Sequence, residues 1–240
     1  MAIAMTKGYS EQTAGAKLCI DLASDWGAEC ISDLNISENV FLMDYGAADG
    51  GTASEFWGKI INDIQEKNQS TEITLIGNDL YSNDNQALIN NLSIQSINNE
   101  LVKTFLCAGS FYDQLVPSEF IDFGFSATAM HWLNKKVENL NDHTHVLASS
   151  NQTARNDFLK QALFDWNQIL DIRSKELKIG GKLLTVNLSR DNENRYLGNN
   201  GGKTVNVHDE IHSIWKELLE EKLITEAEYQ KGTIQNFYKS

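Results

Sequence analysis

Asp44-Tyr45-Gly46-Ala47-Ala48-Asp49-Gly50-Gly51-Thr52 is the stretch on which the fold turns. A short apolar run, 40–43, leads into it and reads as a buried strand. Residues 53–65 follow, with Phe56, Ile60, Ile61 and Ile64 at helical spacing. Strand, glycine turn and helix in this order place a nucleotide-like ligand against bare backbone at a helix N-terminus. Glycine suits such a turn because a Cβ would hold the ligand off and would penalise positive φ. Thr52 and Glu55 have capping-box spacing, which predicts where the helix starts. A second acidic residue, Asp79, closes the next predicted strand, 72–77, at the position that reaches ribose hydroxyls in sheets of this kind. Together these residues point to a cofactor-binding enzyme.

The surrounding chain has 240 residues, enough for one domain of medium size with a sizeable core. Its 41% hydrophobic and 22% charged residues are ordinary for a soluble globular protein. A formal net charge of -13 speaks against a nucleic-acid partner, whose phosphates need concentrated Lys and Arg, and against an anionic membrane surface. Cys19, Cys30 and Cys107 are widely spaced with no CxxC pair, which predicts reduced, buried thiols rather than a disulfide framework. Residues 1–6 lack the apolar core of a signal peptide, and no run reaches the roughly 20 apolar residues of a membrane span. A cytoplasmic location is expected.

Residues 10–26 read as a leading helix with Ala14, Leu18 and Leu22 on its apolar face. Strands are expected at 40–45, 72–77, 102–106, 120–125 and 182–187, with helical patterns between most of them. That alternation predicts an α/β fold with a mostly parallel sheet and helices on both faces. The strongest helical pattern, 156–177, offers Phe158, Leu159, Ala162, Leu163, Trp166, Leu170, Ile172 and Leu177 as a broad apolar face. Gly180-Gly181 reads as its C-terminal stop. Residues 189–206, rich in Asn, Gly and charge, read as a loop or lid. Helices are expected at 210–222 and 225–231, the second with Thr225 and Glu228 in capping-box spacing.

A glycine turn does not by itself name the cofactor. Gly46 and Gly50 are four apart, with Ala48 where the second glycine of GxGxxG falls, which weakens a nicotinamide reading. Other segments narrow the choice. Tyr9-Ser10-Glu11-Gln12-Thr13, Asn78-Asp79-Leu80 and Gly109-Ser110-Phe111-Tyr112 occur in this order. Phe125-Ser126-Ala127-Thr128-Ala129-Met130-His131-Trp132-Leu133 follows, then Arg173-Ser174-Lys175-Glu176-Leu177 with Gly180-Gly181-Lys182. From Tyr9 to the C-terminus, the chain resembles the plant-type carboxyl methyltransferases that use S-adenosylmethionine, the salicylate and jasmonate methyltransferase family.

The resemblance implies a Rossmann-like methyltransferase fold, with an S-adenosylmethionine-binding domain over 1–188 and a loop and partial helical cap over 189–240. It implies S-adenosylmethionine as cofactor, and as acceptor the carboxylate, or a related oxygen or nitrogen nucleophile, of a small molecule. It also implies homodimers. Asp44 would accept from the ammonium of the cofactor's methionine part in a charge-assisted bond. Asp79 would accept from the ribose hydroxyls, Leu80 would pack on the adenosine, Ser110 would bond the adenine edge and Phe111 would cover its face. Thr13 stands where the family carries a serine that binds the cofactor carboxylate, and Tyr9 would line the pocket near the sulfonium. Gly46 and Ser126 complete the cofactor set. Trp132, whose indole N–H donates and cannot accept, would hold the acceptor carboxylate, with His131 lining the same pocket. No catalytic group beyond these and no metal ligand is assigned; His143 and His145 read as a polar loop with no third ligand nearby.

Each residue also has a plainer explanation. Asp44 can cap the glycine turn, Asp79 can open an Asx-turn, Ser110 and Phe111 can be loop and core, and Met130 to Leu133 can be buried core. Two departures from the family bear on function. Ala16 stands where the family places a glutamine that helps hold the acceptor carboxylate, so one donor to the substrate is missing. Family members also run well beyond residue 240, so either a compact relative or a chain lacking a C-terminal part is expected. A non-catalytic cofactor-binding relative is the alternative function, with a nicotinamide-dependent oxidoreductase more distant.

Overall fold

The computed structural model describes residues 5–135, 140, 142–189, 192 and 207–234. The strands are β1 (Asn39–Tyr45), β2 (Glu72–Asp79), β3 (Val102–Ala108), β4 (Ile121–Ala127) and β5 (Leu177–Val186). The helices are α1 (Tyr9–Gln12), α2 (Ala14–Leu22), α3 (Ser24–Ser32), α4 (Ser54–Lys67), α5 (Asn85–Ser93), α6 (Gln152–Glu176), α7 (Val207–Glu220) and α8 (Glu226–Tyr229). The strands form one five-stranded parallel sheet in the order β3-β2-β1-β4-β5. This is the expected α/β architecture. The strand order reverses between β1 and β4, and open parallel sheets bind ligands beyond the strand ends at such a switch point.

The chain divides into two compact units, residues 1–130 with 168–186, and residues 131–167 with 187–240. The boundary expected between 188 and 189 falls near one crossing, but 131–167 groups with the second unit rather than the first. In the first unit, α4 buries Phe56, Trp57, Ile60, Ile61 and Ile64, as its period demands. Phe56 stacks on Phe125 of β4 at a centroid distance of 4.1 Å. Apolar burial of this kind is the main force holding the layers together, about 25 cal/mol for each Å² removed from water.

Several local expectations are corrected here. The leading helix of 10–26 is three helices, broken at Thr13 and Ala23. Leu18 and Leu22 face outward at 59% and 70% exposure, while Ile20, Ala23 and Ile31 are buried. The register follows Gly27, which lies so close to Phe56 that a Cβ would meet its ring at 2.7 Å. Thr52 and Glu55 make no capping box: Ala53 is the N-cap of α4 without a side-chain bond. Glu55 instead accepts from Lys17 at 2.9 Å, and Thr52 is buried. The thiols are free but not buried, Cys19 being exposed and Cys30 and Cys107 half-buried.

Gly180-Gly181 does not stop α6. The helix ends at Glu176 and β5 begins at the next residue, with both glycines inside the strand. They form a bulge: Ile121 pairs with Leu177 but Phe123 pairs with Lys182. Gly180 has φ +85, and a Cβ on Gly181 would meet three backbone carbonyl oxygens at 2.9, 3.0 and 3.2 Å. Asp122 works beside this bulge, accepting from Phe41 N–H at 2.8 Å and Lys178 Nζ at 2.7 Å. The buried stripe of α6 also differs from its apolar pattern. Phe158, Ala162, Asp165, Ile169, Arg173 and Glu176 are buried, whereas Leu159 and Leu163 face out.

In the second unit, Leu140, Val146, Leu147, Ala154, Phe158 and Ala162 form a small core. The capping box of α8 is present as expected, with Thr225 and Glu228 bonding each other's backbone N–H. The predicted loop of 189–206 lies outside the described residues apart from Ser189 and Asn192. His143 and His145 do not occupy a polar loop. His145 is fully buried and stacks on His208 at 3.9 Å, and His143 stacks on His212 at 4.4 Å. His143 Nε2 lies 3.2 Å from Asp209, and Asp142 and Lys216 also act on His212.

Burial, then the charge of His143, holds His208 and His212 below the ordinary histidine value. At these two histidines the unfolded chain takes up protons first, so their contribution to stability is lost as pH falls below about 6.5. Between pH 7.5 and 5.5 the unaltered protein is expected to lose melting temperature relative to His208→Phe; a difference between the two proteins that does not change with pH refutes this origin. Among the described residues, no helix is long and apolar enough to cross a membrane, and no group of three or more His, Cys, Asp or Glu side chains is placed to hold a metal ion.

Candidate cofactor site

The glycine turn leaves β1 at Tyr45 and enters α4 at Ser54. Its backbone is shaped by positive φ at Gly46 (+73), Ala48 (+52) and Gly50 (+75). Gly46 admits no side chain, since a Cβ there would lie 2.4 Å from the Cβ of Ala129. Ala48 holds its left-handed conformation because both its peptide groups are clamped. Its N–H donates to Asp79 Oδ2 at 2.7 Å, and its carbonyl accepts from Asn83 Nδ2 at 2.6 Å. Asn78, fully buried at the end of β2, accepts from the N–H groups of Gly46 and Ala47 at 2.9 Å each through its carbonyl. Its side chain donates to the carbonyls of Cys107 and Gly109, fastening the loop after β3 to the same point.

Asp44 and Asp79 stand at the ends of paired neighbours, β1 and β2. Asp44 is 2% exposed and accepts from Trp57 Nε1 through Oδ2 at 2.8 Å; no described hydrogen bond uses Oδ1. Burial pushes the Asp44 carboxyl up to about 7, against the indole bond that lowers it, and the charge of Asp79 adds to the rise. The two carboxylates therefore feel one another. Asp79 is half-buried, and burial raises it too, while the N–H groups of Leu80 and Ala48 hold it down. Its Oδ1 accepts from Leu80 N–H at 2.7 Å, so Asp79 both shapes the turn and keeps a second lone pair on each oxygen.

The loop after β3 carries Ser110 and Phe111, both half-buried. The Ser110 hydroxyl accepts from Tyr112 N–H at 3.2 Å, and the ring of Phe111 would lie 3.8 Å from a Cβ on Gly46. Phe111 thus faces the glycine turn. Its carbonyl accepts from Arg173 Nη1 at 2.9 Å, and Arg173 Nη2 bonds the carbonyl of Asp113 at 2.8 Å. Arg173 is fully buried beside Glu176, with Nε 2.8 Å from Oε2 but not aligned as a hydrogen bond, and Nη2 bonded to Oε1 at 3.0 Å. Tyr45 donates its hydroxyl to Glu176 at 2.8 Å, and the guanidinium lies over the Tyr45 ring. Asn78, Asn83, Arg173 and Glu176 carry the site's shape, and sequence reasoning assigned a role to none of them. For the last pair, the signal is a helix whose inward positions continue as charge.

Among the other expected residues, Leu80 is half-buried beside Asp79, and Tyr9 opens α1 and Thr13 caps its end, both half-buried, with the Thr13 hydroxyl donating to the Tyr9 carbonyl at 2.7 Å. Ser126 departs from expectation: it is 1% exposed and donates to the Tyr45 carbonyl at 2.9 Å, tying β4 to β1 rather than facing a ligand. In the second unit, His131 is buried and its ring lies 5.4 Å from that of Trp132, which is 37% exposed.

A parallel sheet with a glycine turn and acidic strand ends at its switch point defines a protein of the Rossmann-like α/β class. A sequence profile described as SAM dependent carboxyl methyltransferase matches residues 6–240, and the chain belongs to that family. It is 30% identical over 208 residues to S-adenosyl-L-methionine:benzoic acid/salicylic acid carboxyl methyltransferase 3 of Petunia hybrida, covering 80% of this chain and 54% of that protein. Salicylate/benzoate carboxyl methyltransferase of Arabidopsis thaliana is 27% identical over 179 residues, 69% of this chain and 47% of that protein. The chain therefore spans about half the length of the curated relatives it matches. A solved structure of loganic acid methyltransferase with SAH superposes at a TM-score of 0.81 with 19% identity, covering all of this chain and 73% of the other. That likeness concerns the fold.

The donor set suits the cofactor of this family. An ammonium and a ribose both present donors, and here two neighbouring carboxylates, Asp44 and Asp79, offer acceptors beside the glycine turn.

Proposed function

We propose that the chain binds S-adenosylmethionine and methylates the carboxylate, or a related oxygen or nitrogen nucleophile, of a small molecule. The observation that carries this is the placing of Asp44 and Asp79 at the ends of adjacent strands, near enough for one charge to shift the other, beside a turn with glycine at 46, 50 and 51. Asp44 holds the ammonium, Asp79 the ribose hydroxyls, Leu80 and Phe111 the adenosine, and Ser110 the adenine edge. Tyr9, Thr13 and Gly46 complete the set, and Ser126 is withdrawn from it. The bound cofactor supplies an activated methyl group. An acceptor carboxylate is already ionised near neutral pH, so no general base is required of the chain. Its residues orient the acceptor and keep water away, with Trp132 donating to the carboxylate and His131 beside it. A cytoplasmic homodimer belongs to the same proposal.

The test is calorimetry with S-adenosylhomocysteine on the unaltered protein and on Asp79→Ala. Binding lost at least about 100-fold in the variant is expected, since the substitution removes a ligand acceptor and the clamp on Ala48 together. No heat at millimolar ligand, or equal affinity in both proteins, refutes it. Ala16 favours one second reading, a relative that binds the cofactor without turnover. A methylation assay over a panel of small acids, run with Trp132→Ala, separates the two.

A further inference from the structure

The helix α1 is four residues long and has no side-chain cap of its own. Gly8, in left-handed conformation, stands at its N-cap, and none of its residues is buried. Its first turn is held from elsewhere. Asp49, in the glycine turn, accepts through Oδ2 from both the N–H and the hydroxyl of Ser10, each at 2.9 Å. Asp49 is itself fixed. Its Oδ1 accepts from Gly51 N–H at 3.2 Å, and its carbonyl accepts from Asn91 Nδ2 of α5 at 2.6 Å.

Packing at this point is equally specific. A Cβ on Gly51 would lie 2.4 Å from Ser10 Oγ and 2.7 Å from its Cβ, so α1 rests directly on the backbone of the turn. Another described tie of this segment, the Lys7–Asp84 ion pair at 3.9 Å, is mostly exposed at Lys7 and contributes little. A helix this short does not persist alone in water. Asp49 therefore decides whether residues 8–13, with Tyr9 and Thr13, lie closed against the turn.

We infer that Asp49 is a positioning residue that latches α1 onto the glycine turn, so that release of the cofactor requires this strap to lift. The inference rests on the cofactor reading above. It follows because one carboxylate joins the strap to the loop that the cofactor would touch. A ligand that steadies Gly46 to Gly51 steadies Asp49, and through it Ser10. Opening breaks the two Ser10 bonds and exposes the half-buried Tyr9, but no fully buried side chain of α1.

The experiment measures S-adenosylhomocysteine dissociation by stopped flow, together with trypsin cleavage after Lys7, on the full chain. In the unaltered protein, the ligand is expected to slow cleavage. Asp49→Ala is expected to lose that protection and to dissociate ligand at least about tenfold faster, the factor given by about 1.4 kcal/mol. Ser10→Ala, which leaves the turn untouched and keeps the backbone bond, is expected to move both readouts the same way by a smaller factor. Asp49→Asn, whose amide oxygen still accepts, is expected to recover most of the protection. A merely structural role for Asp49 lowers the melting temperature without moving dissociation or protection.

Dissociation within about twofold of the unaltered protein in Asp49→Ala overturns the inference alone. If that variant does not fold, unaltered dissociation and protection in Ser10→Ala overturn it. Absence of binding by the unaltered protein overturns the cofactor reading, and the latch with it.

Discussion

Replacing Glu176 with alanine is expected to destabilise the protein by about 3–5 kcal/mol, because it strands a fully buried guanidinium without its charge partner. For a chain of this size, that corresponds to a melting temperature roughly 6–20 °C lower. The loss reaches further than a surface ion pair would. Glu176 also accepts from the Tyr45 hydroxyl and from the N–H groups of Leu115 and Val116, so its removal frees the chain after β3 at several points. Arg173 in turn bonds the carbonyls of Phe111 and Asp113, the segment that faces the glycine turn. Cofactor affinity is therefore expected to fall together with stability. Replacing both charges, as in Arg173→Met with Glu176→Leu, is expected to recover only the cost of the stranded charge, because the Tyr45 hydroxyl and the N–H groups of Leu115 and Val116 still lack an acceptor. A melting temperature for Glu176→Ala within a degree of the unaltered protein refutes the assignment.

Cofactor affinity is expected to decline below pH 7. Burial holds Asp44 protonated up to about 7 in the ligand-free protein, whereas an ammonium ligand selects the carboxylate. Well below that value, affinity for S-adenosylhomocysteine should fall about tenfold per pH unit. Binding near pH 6.5 should release a proton, visible as a dependence of the calorimetric heat on buffer. Asp44→Asn should bind weakly and without this pH dependence. A flat affinity between pH 5.5 and 8 in the unaltered protein rules out Asp44 as the ammonium partner. Ligand-free stability has the opposite sign. Between 3.8 and about 7 the folded protein keeps a proton that the unfolded chain releases, so this contribution is full below 3.8 and lost as pH rises through 7.

The parallel sheet was legible because its strands are apolar runs bounded by glycine or polar breaks: β1 is a nearly continuous buried run, and α4 keeps the helical period. Asp44, Asp79, Ser110 and Phe111 are marked together in the sequence by strand ends and motif order, and the proposed cofactor site rests on them as a set. The supporting residues are not so marked, for a physical reason. Asn78, Asp49, Arg173 and Glu176 act through backbone partners brought from far along the chain, such as Asp49 to Ser10 or Glu176 to Leu115. No local pattern reports such bonds. Local chemistry also misleads where tertiary packing overrides it. Thr52 and Glu55 have the right spacing, yet Thr52 is buried and Glu55 bonds Lys17. Leu18 and Leu22 share a helical face, yet the close approach at Gly27 turns that face outward.

The passage from α6 into β5 without an intervening turn makes the two elements behave like meshed gears. Adding one residue at the junction would rotate the helix by about 100° and send each strand side chain to the opposite surface. Arg173, Glu176 and the pairing of Leu177 with Ile121 would then fall out of phase at once. A residue inserted here therefore disturbs helix and strand together, whereas one inserted in a surface loop disturbs neither.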